Sequence, residues 1–568
     1  MTVYWLLDLD IDGRVHRLAD VDLDIDCDDG SVLHYTGALE VEPVEEVLSV
    51  LSASASQPEA QVRIWLDGVS TLAILRARGE LSRWVDGTTY ERRRRVLRGP
   101  CQSPVMDSPE EGCSTTIAQD PWLDPEMLIS STEVVSTATW STASTLLDAG
   151  QEIAYPIVIG RPGRRASGWC AAMVVPRLDA TLGSPGAISP NYNGVAYLLA
   201  AHHVSATRVR LCTETDLHGI IAHVINTYDD VGQPVAVCPW FWSSTADPVV
   251  LAYDVSETYQ FTGGAGEFGV GEASTIAVAY NDDANQPAIY AAFEDLVDAS
   301  SGGLQVGGEL LRGAGSVMGW ALAFSGASVD RLRMVEAQRA LDVYQIDTVI
   351  AARESSKPWD WVSNVLLPIL PCALAAGPDG CFAVPLLLDA IEADAEARLD
   401  TRRPDVGTVG ALEWDTSQLV RTVTVRYDYD VRTGTYLSKV VYGSAAAALA
   451  DPTGATRPHP ALTLAAGWDL VGEDLVVDSA ALNDAASADL AAYNIARIRG
   501  LPTGMLTFDV PEDDEMFFRL RRGSIVYCYD EAKGVDRVGR VVRIRTDGDG
   551  YLLVTAWFVL DPARDASL

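Results

Sequence analysis

The stretch of sequence that decides the fold class is residues 3–13, VYWLLDLDIDG. Apolar residues occupy every second position, and the interior aspartates Asp8 and Asp10 fall on the opposite side. A period of two is typical of a β-strand with one buried face, and the closing pair Asp12-Gly13 favours a tight turn. The stretch therefore predicts the first strand and the turn of a half-buried β-hairpin.

Similar patterns recur along the chain. Alternating or β-branched runs, separated by turns that contain Gly or Asp, occupy residues 21–39, 61–84, 156–226, 419–431 and 524–559. Short strands at such spacing predict a mainly β protein built from several small antiparallel barrels or sandwiches. The last of these segments predicts three strands, at 524–530, 538–545 and 551–559.

Helical periodicity is concentrated in the middle of the chain. Apolar residues recur at helical spacing over 310–322, and a second helix is expected after Ser328. Ser356 as N-cap with Pro358 in the first turn favours a third helix start, and a capped helix fits 487–499. These patterns predict a central α/β portion in a mainly β protein.

The length of 568 residues exceeds what one hydrophobic core supports, so we expect a multidomain chain. The patterns divide it into four parts. They are an N-terminal β-barrel domain over 1–150, with a connector rich in Ser, Thr, Pro and Gly at 98–150; a second β-rich domain over 151–304; a helix-rich α/β domain over 305–400; and a β domain over 401–568 that ends in a small antiparallel barrel.

The chain is strongly acidic, with 79 acidic against 42 basic residues and a formal net charge of −37. This balance argues against general affinity for nucleic acid, and an acidic lumen would repel DNA rather than hold it. A genome that favours Arg, Ala and Asp codons, or a salt-adapted source, explains the same charge. The charge alone leaves these interpretations open.

The nine cysteines show no metal-type spacing, and we expect free thiols. Cys372 and Cys381 flank the turn 378–380 and are the pair best placed to meet across a hairpin. The N-terminus lacks the pattern of a signal peptide, and the longest apolar run, 365–377, is too short to span a bilayer. We therefore expect no membrane segment.

Four patterns suggest small-molecule or metal sites, and each has a simpler structural explanation. Asp8 to Gly13 matches the first half of a calcium loop, but Ala19 stands where a bidentate Glu is needed. Gly264 to Gly269 matches a dinucleotide pattern with no convincing helix after it. The other two are the histidines His202, His203, His218 and His223, which lack a zinc-protease frame, and the carboxylates Glu413 and Asp415 in a chain full of carboxylates. We expect no catalytic residue, cofactor or metal.

One basic block stands out in the acidic chain: Arg92, Arg93, Arg94 and Arg95, with Arg98 close by. It suits docking against an acidic neighbouring subunit. A solvated edge strand, or pairing with carboxylates of the same chain, explains it equally well.

Several segments, in this order, resemble the hub or baseplate proteins at the tail tip of long-tailed bacteriophages. They are Tyr4-Trp5-Leu6, residues 33–39, 155–162 and 197–204, Val329-Asp330-Arg331, Trp359-Asp360-Trp361, residues 366–371, and the closing pair 520–526 and 539–544. The resemblance covers most of the chain as loose patterns.

The resemblance implies a non-enzymatic homotrimer that closes the tail tube, with two related β-barrel domains per chain that imitate sixfold symmetry. The implied partners are the distal tail protein, the tape-measure protein and tail-fibre or receptor-binding proteins. DNA would only pass through, and the protein would be assembled in the host cytoplasm and reside at the virion tail tip. Two alternatives remain open: a carbohydrate-binding adhesin, since 14 Trp and 20 Tyr can stack on sugars, and a hydrolase.

Overall fold

The computed structural model describes residues 2–120 and 309–560 apart from short gaps, and only isolated segments between them. Its N-terminal part forms β1 Val3–Ile11, β2 Arg14–Ala19, β3 Leu23–Asp26, β4 Val32–Gly37, β5 Leu39–Val41, β6 Glu45–Val47, β7 Glu59–Ile64, α1 Thr71–Leu75, β8 Arg78–Val85, the 3-10 turn Tyr90–Arg92, β9 Arg94–Met106 and β10 Cys113–Ala118.

The N-terminal strands, except β6, form one sheet in the order β3-β4-β2-β1-β8-β9-β10-β7-β5. The predicted hairpin is confirmed, because β1 and β2 pair antiparallel from Leu6 opposite Ala19 to Ile11 opposite Arg14. Asp12 and Gly13 both have positive φ, 51° and 83°, which matches the right-handed twist of the paired strands.

Ala38 brings the two ends of this sheet together. It links β4, which lies beside β2, to β5, which lies beside β7. Its N–H donates to the Ala19 carbonyl at 3.0 Å, and its carbonyl accepts from the Trp65 N–H at 3.1 Å. The curled sheet encloses an apolar core that includes Leu7, Leu9, Ile64, Leu81 and Leu97.

Between residues 121 and 310 the structure describes the short strands β11 Val134–Val135, β12 Ile153–Ala154, β13 Ile157–Ile159, β14 Met173–Val174, β15 Arg177–Leu178, β16 Asn193–Ala200, β17 Val209–Cys212, β18 Ile220–Ala222, β19 Ile225–Tyr228, β20 Pro234–Trp242, β21 Val250–Leu251, β22 Thr275–Ile276, β23 Tyr290–Phe293, β24 Gln305–Val306 and β25 Glu309–Leu310.

The described chain continues with α2 Ala314–Phe324, α3 Arg331–Leu341, β26 Thr348–Ile350, α4 Pro358–Trp361, a π turn Val362–Leu366, a 3-10 turn Leu367–Ile369, β27 Cys372–Gly377, β28 Gly380–Pro385, a 3-10 turn Glu392–Asp394, β29 Ala397–Asp400, β30 Gly407–Asp415, β31 Val420–Asp430, β32 Thr435–Gly443, α5 Ala445–Ala450, β33 Thr456–Pro458, α6 Pro460–Gly467, β34 Glu473–Asp478, α7 Ala485–Arg499, β35 Thr503–Pro511, α8 Asp514–Arg519, β36 Ile525–Asp530, β37 Val535–Thr546 and β38 Tyr551–Val559.

The central α/β part is larger than the sequence pattern indicates. A four-stranded sheet in the order β33-β32-β31-β34 packs on α6 and α7. Its buried Val423 and Val425 belong to the same core as Met318 of α2 and Leu374 of β27. Residues 420–496 thus share a core with 311–383, whereas their alternation grouped them with 401–568. Alternation identifies a strand but does not reveal what the strand packs against.

The second large sheet is C-terminal, in the order β29-β36-β37-β38-β35-β30, and β6 pairs with β37 beyond the end of β36. The three strands predicted at the end of the chain are confirmed as β36, β37 and β38. The segment β31 to α7 is inserted between the neighbouring strands β30 and β35. Phe508 is fully buried in the core of this sheet.

The two large sheets repeat one arrangement. The order β5-β7-β10-β9-β8 in the first matches β30-β35-β38-β37-β36 in the second, and every pair is antiparallel in both. A short helix lies at the same point, since α1 precedes β8 as α8 precedes β36. We name the sheet β1–β5 and β7–β10 with α1 the N-terminal module, and the sheet β29, β30 and β35–β38 with α8 the C-terminal module.

The prediction of a mainly β protein is confirmed, because 49% of the described residues lie in strands and 20% in helices. The described residues contain no closed barrel, although the sequence predicts barrels or sandwiches. Part of the predicted connector 98–150 is also ordered differently, because β9 and β10 extend to Ala118 inside the N-terminal module. Their Ser and Thr residues alternate with buried Cys113 and Ile117, and this alternation was hidden by the overall polar composition.

The contrast between two phenylalanines of the C-terminal module gives a test of this core. We expect Phe508→Ala to lower the free energy of unfolding by about 3–5 kcal/mol, because Phe508 is fully buried. Phe518→Ala removes the same atoms from a side chain that is 40% exposed, and we expect less than about 1 kcal/mol. Calorimetric unfolding of the full chain measures both, and equal losses would contradict the described core.

Candidate functional site

The arginine block lies where β8 turns back into β9, beside the C-terminal module. Arg83 of β8 and Arg94 of β9 are direct cross-strand partners. Two like charges at such a position repel each other, so each arginine needs its own carboxylate. The N-terminal sheet does not supply these carboxylates: Arg94 pairs with Glu46 of β6, and Arg83 with Glu512 at the end of β35.

Glu46 holds two arginines from opposite ends of the chain. Its Oε1 accepts from Arg94 at 2.9 Å and its Oε2 from Arg522 at 3.1 Å, although Arg522 is 476 residues away in sequence. All three side chains are at most 14% exposed. Burial alone raises the pKa of Glu46, but Arg94, Arg522 and Arg333 outweigh it and hold the pKa below its ordinary value.

The same arginines also bind backbone carbonyls of neighbouring segments. Arg522 donates to the carbonyls of Val47 at 3.1 Å and Ala376 at 2.5 Å, and Arg94 donates to the carbonyl of Leu520 at 2.9 Å. The contacts join β6, the hairpin β27–β28 and the segment after α8. The guanidinium groups therefore satisfy buried carbonyls as well as neutralising Glu46.

A second buried pair lies beside the first. Arg83 donates to Glu512, with side chains 7% and 0% exposed, and its guanidinium lies 5.0 Å from the Trp5 ring centroid. Burial raises the pKa of Glu512 above its ordinary value and outweighs the attraction of Arg83. We name Arg83, Arg94, Glu46, Glu512 and Arg522 together the arginine junction. It couples the two modules through desolvated charges, and the N-terminal strand β6 pairs with β37 of the C-terminal module.

The predicted docking patch is divided between paired and exposed residues. Arg93 donates to Glu80 at 2.8 Å and covers the Tyr90 ring, and Arg95 donates to Asp379 at 2.7 Å. With Arg94 in the junction, these three arginines bind groups of the same chain. Arg92 and Arg98 are exposed. It remains a prediction that the patch docks a neighbouring subunit. Arg92 and Arg98 are the two residues of the patch best placed for that contact.

The carboxylates of the calcium-like pattern have other partners. Asp8 accepts from the hydroxyls of Tyr35, at 2.7 Å, and Tyr90, at 2.5 Å. Asp10 accepts from the Gly13 N–H at 2.9 Å within its own turn. Asp8 therefore joins two tyrosine side chains, whereas Asp10 stabilises the hairpin turn. They do not converge on one point.

The remaining candidate residues are not brought together either. His202 accepts from the Val158 N–H at 3.1 Å, while His203, His218, His223 and Gly264 to Gly269 lie outside the described residues. Asp415 caps a turn by accepting from the Ser417 N–H and hydroxyl, which lower its pKa, and Glu413 is exposed on the strand. No group of three metal-binding side chains is present in the part of the chain that the structure describes.

Seven cysteines are free thiols: Cys27, Cys101, Cys113, Cys170, Cys372, Cys381 and Cys528. In the hairpin β27–β28, Cys372 lies opposite Pro385 and Cys381 opposite Ala376, so the two cysteines are not cross-strand partners. Burial raises the pKa of each thiol to about 12. No helix within the described residues combines the length and the apolar character that a membrane span requires.

No sequence pattern indicated that Glu46, Glu512, Arg83 or Arg522 would be site residues. Their partners are hundreds of residues away, and Glu46 is one of 79 acidic residues. The only available signal was the arginine block itself. Pairing within the chain, one of the interpretations of the block, accounts for Arg93, Arg94 and Arg95.

Glu46 and its neighbour Glu45 provide a matched pair of variants. We expect Glu46→Gln to lower the free energy of unfolding by about 3–5 kcal/mol, because Arg94 and Arg522 stay buried without a counter-charge. Glu45 pairs with Arg543 at 3.1 Å with both side chains about half exposed, and Glu45→Gln is expected to cost about 0–1 kcal/mol. Equal losses of unfolding free energy for the two variants, measured by denaturant unfolding, would contradict the role of Glu46 as a buried counter-charge.

The lowered pKa of Glu46 predicts how the difference between wild type and Glu46→Gln depends on pH. The stabilisation is complete above the ordinary pKa of 4.5 and is lost as the pH falls through the lower pKa of the folded state. We therefore expect the difference in unfolding free energy to be constant at about pH 6–8 and to shrink in acid. A difference that grows in acid would contradict this assignment. Glu512 is present in both proteins, so its contribution to the pH dependence cancels from the difference.

No family model and no curated protein matches the chain. Among solved structures it is similar to the 43 kDa tail protein of prophage MuSo2 from Shewanella oneidensis, with 10% identity, a TM-score of 0.34 and coverage of 98% of this chain and 99% of that one.

Two further structures align with nearly all of the chain. The first is the tail protein from Neisseria meningitidis MC58, with 10% identity, a TM-score of 0.34 and coverage of 98% of this chain and 97% of that one. The second is prophage tail protein gp18 from Listeria monocytogenes EGD-e, with 8% identity, a TM-score of 0.30 and coverage of 94% of this chain and 93% of that one. All three similar structures are tail proteins, the class of protein that the sequence resembles.

Proposed function

We propose that the protein is a structural hub at the tip of a phage tail. In this proposal three chains close the end of the tail tube, and DNA passes through the channel during ejection. The trimer docks the distal tail protein, the tape-measure protein and the fibre or receptor-binding proteins. The protein works without catalysis, is assembled in the host cytoplasm and resides at the tail tip of the virion.

The observation that carries the proposal is the repeated module. Each chain contains two sheets with the same five-strand order and a helix at the same point. A trimer therefore presents six similar modules, which suits docking to a ring of six identical subunits while the tip itself keeps threefold symmetry. Modules joined by a flexible linker would not hold a constant angle, and the arginine junction together with the pairing of β6 on β37 supports a rigid connection.

Two further features support this role. The net charge of −37 disfavours retention of DNA in a conduit. Among the candidate residues of a hydrolase, Asp10 and Asp415 accept hydrogen bonds within turns, and His202 accepts one from the Val158 N–H. In the part of the chain that the structure describes, the exposed aromatic side chains Trp414, Tyr493, Phe518 and Tyr551 lie on different elements and give no support there to the carbohydrate-binding alternative.

The test is the mass of the purified chain in solution, measured by light scattering with and without the tail-tube protein of the same virus. A hub is expected at about 183 kDa, three times 61.0 kDa, and in complex with one tube ring per three chains. A chain that stays at 61.0 kDa and binds no tube protein would contradict the proposal. An unrelated control protein of similar size and similarly acidic net charge shows whether charge alone causes association.

A further inference from the structure

The two modules share a short sequence pattern as well as a strand order. In each module a helix runs directly into the first strand of a three-stranded meander, α1 into β8 and α8 into β36. The connections have the sequences Ile74-Leu75-Arg76-Ala77-Arg78-Gly79 and Phe517-Phe518-Arg519-Leu520-Arg521-Arg522-Gly523. They match after one insertion, and the extra residue, Arg522, belongs to the arginine junction.

The inward positions of the pattern serve the fold in both copies. Ile74 and Phe517 are each 1% exposed, and the next inward residues, Ala77 and Leu520, are fully buried. Both glycines allow close approach: a Cβ on Gly79 would lie 2.9 Å from the Ile117 side chain, and one on Gly523 would lie 2.7 Å from Val384. Core packing therefore explains why these positions agree.

Core packing does not explain the outward positions. Leu75 is 49% exposed and its equivalent Phe518 is 40% exposed. Each is followed by an exposed arginine, Arg76 or Arg519, and a second exposed arginine follows two residues later in both copies. A single exposed apolar side chain needs no explanation, but the same apolar and cationic pair at equivalent positions of two modules does. Aromatic side chains and arginine, such as Phe518 and Arg519, are enriched in protein interfaces.

We propose that Leu75-Arg76 and Phe518-Arg519 are two copies of one docking element, and that both bind the same surface of a ring-forming partner, an apolar pocket bordered by carboxylates. The inference rests on the proposed function, which gives a trimer six such elements for a ring of six identical subunits. Each chain then binds two partner subunits.

The charge of the chain argues for an acidic partner surface. A basic partner would associate with the acidic surface of this chain at many places, because the net charge is −37. An acidic partner is repelled everywhere except at the local positive elements, so that charge selects the position and orientation of docking. Arg78 already pairs with Asp120, which leaves Arg76 as the exposed cation nearest to Leu75 in this copy.

The experiment uses the full-length chain, the tail-tube protein encoded with it, and titration calorimetry at low and high salt. Leu75→Asp and Phe518→Asp each place a carboxylate in the proposed apolar contact. We expect each to weaken binding by at least about tenfold and to a similar extent, and the double variant to lose binding. Arg76→Glu and Arg519→Glu are expected to weaken binding and to reduce its salt dependence.

The control is Leu449→Asp on α5, an apolar side chain that is 90% exposed and lies outside both modules. It is expected to bind like wild type, and unfolding transitions identical to wild type verify that every variant is folded. A trimer that binds the tube protein equally well with both Asp substitutions overturns this inference and leaves the proposed function standing. If only one of the two Asp substitutions weakens binding, the two elements are not equivalent and the inference is overturned. A wild-type monomer that binds no tube protein overturns both proposals.

Discussion

The structure depends on the neutralisation of buried arginines across the two modules. Arg83 and Arg94 are opposite each other on β8 and β9, and their carboxylates come from Glu512 and Glu46. A shift of one module against the other would leave Arg83 and Glu512 buried but unpaired, and Arg83 would then face Arg94 without its neutralising carboxylate. Since desolvated charges are costly to leave unpaired, the chain has one favoured arrangement of its modules. A hydrophobic contact of the same area would allow sliding, because apolar attraction has little directionality.

The sequence predicted individual strands and helices well, and their assembly poorly. The hairpin at Asp12-Gly13, the three final strands and the helix at 487–499 follow local rules of alternation, turns and caps, and the structure has all of them. The shared core of 420–496 and 311–383 depends on packing partners that alternation does not specify. The junction depends on ion pairs between residues more than 400 positions apart.

The repeat was hidden for a different reason. A sheet order is a property of pairing, and two modules keep the same order while nearly every side chain changes. Only the connection from α1 to β8 and its counterpart from α8 to β36 retain a recognisable pattern of apolar residues, arginines and glycine. Each module has since acquired its own additions, the strands β2, β3 and β4 in the first and the segment β31 to α7 in the second.

That inserted segment enters and leaves the C-terminal module at one place. Asp415, the last residue of β30, lies directly opposite Thr503, the first residue of β35. The ends of the insertion are therefore as close as those of an ordinary hairpin, and closing the chain there requires no change in the sheet. The segment between these two residues can therefore change in length without a change in the strand order of the C-terminal module.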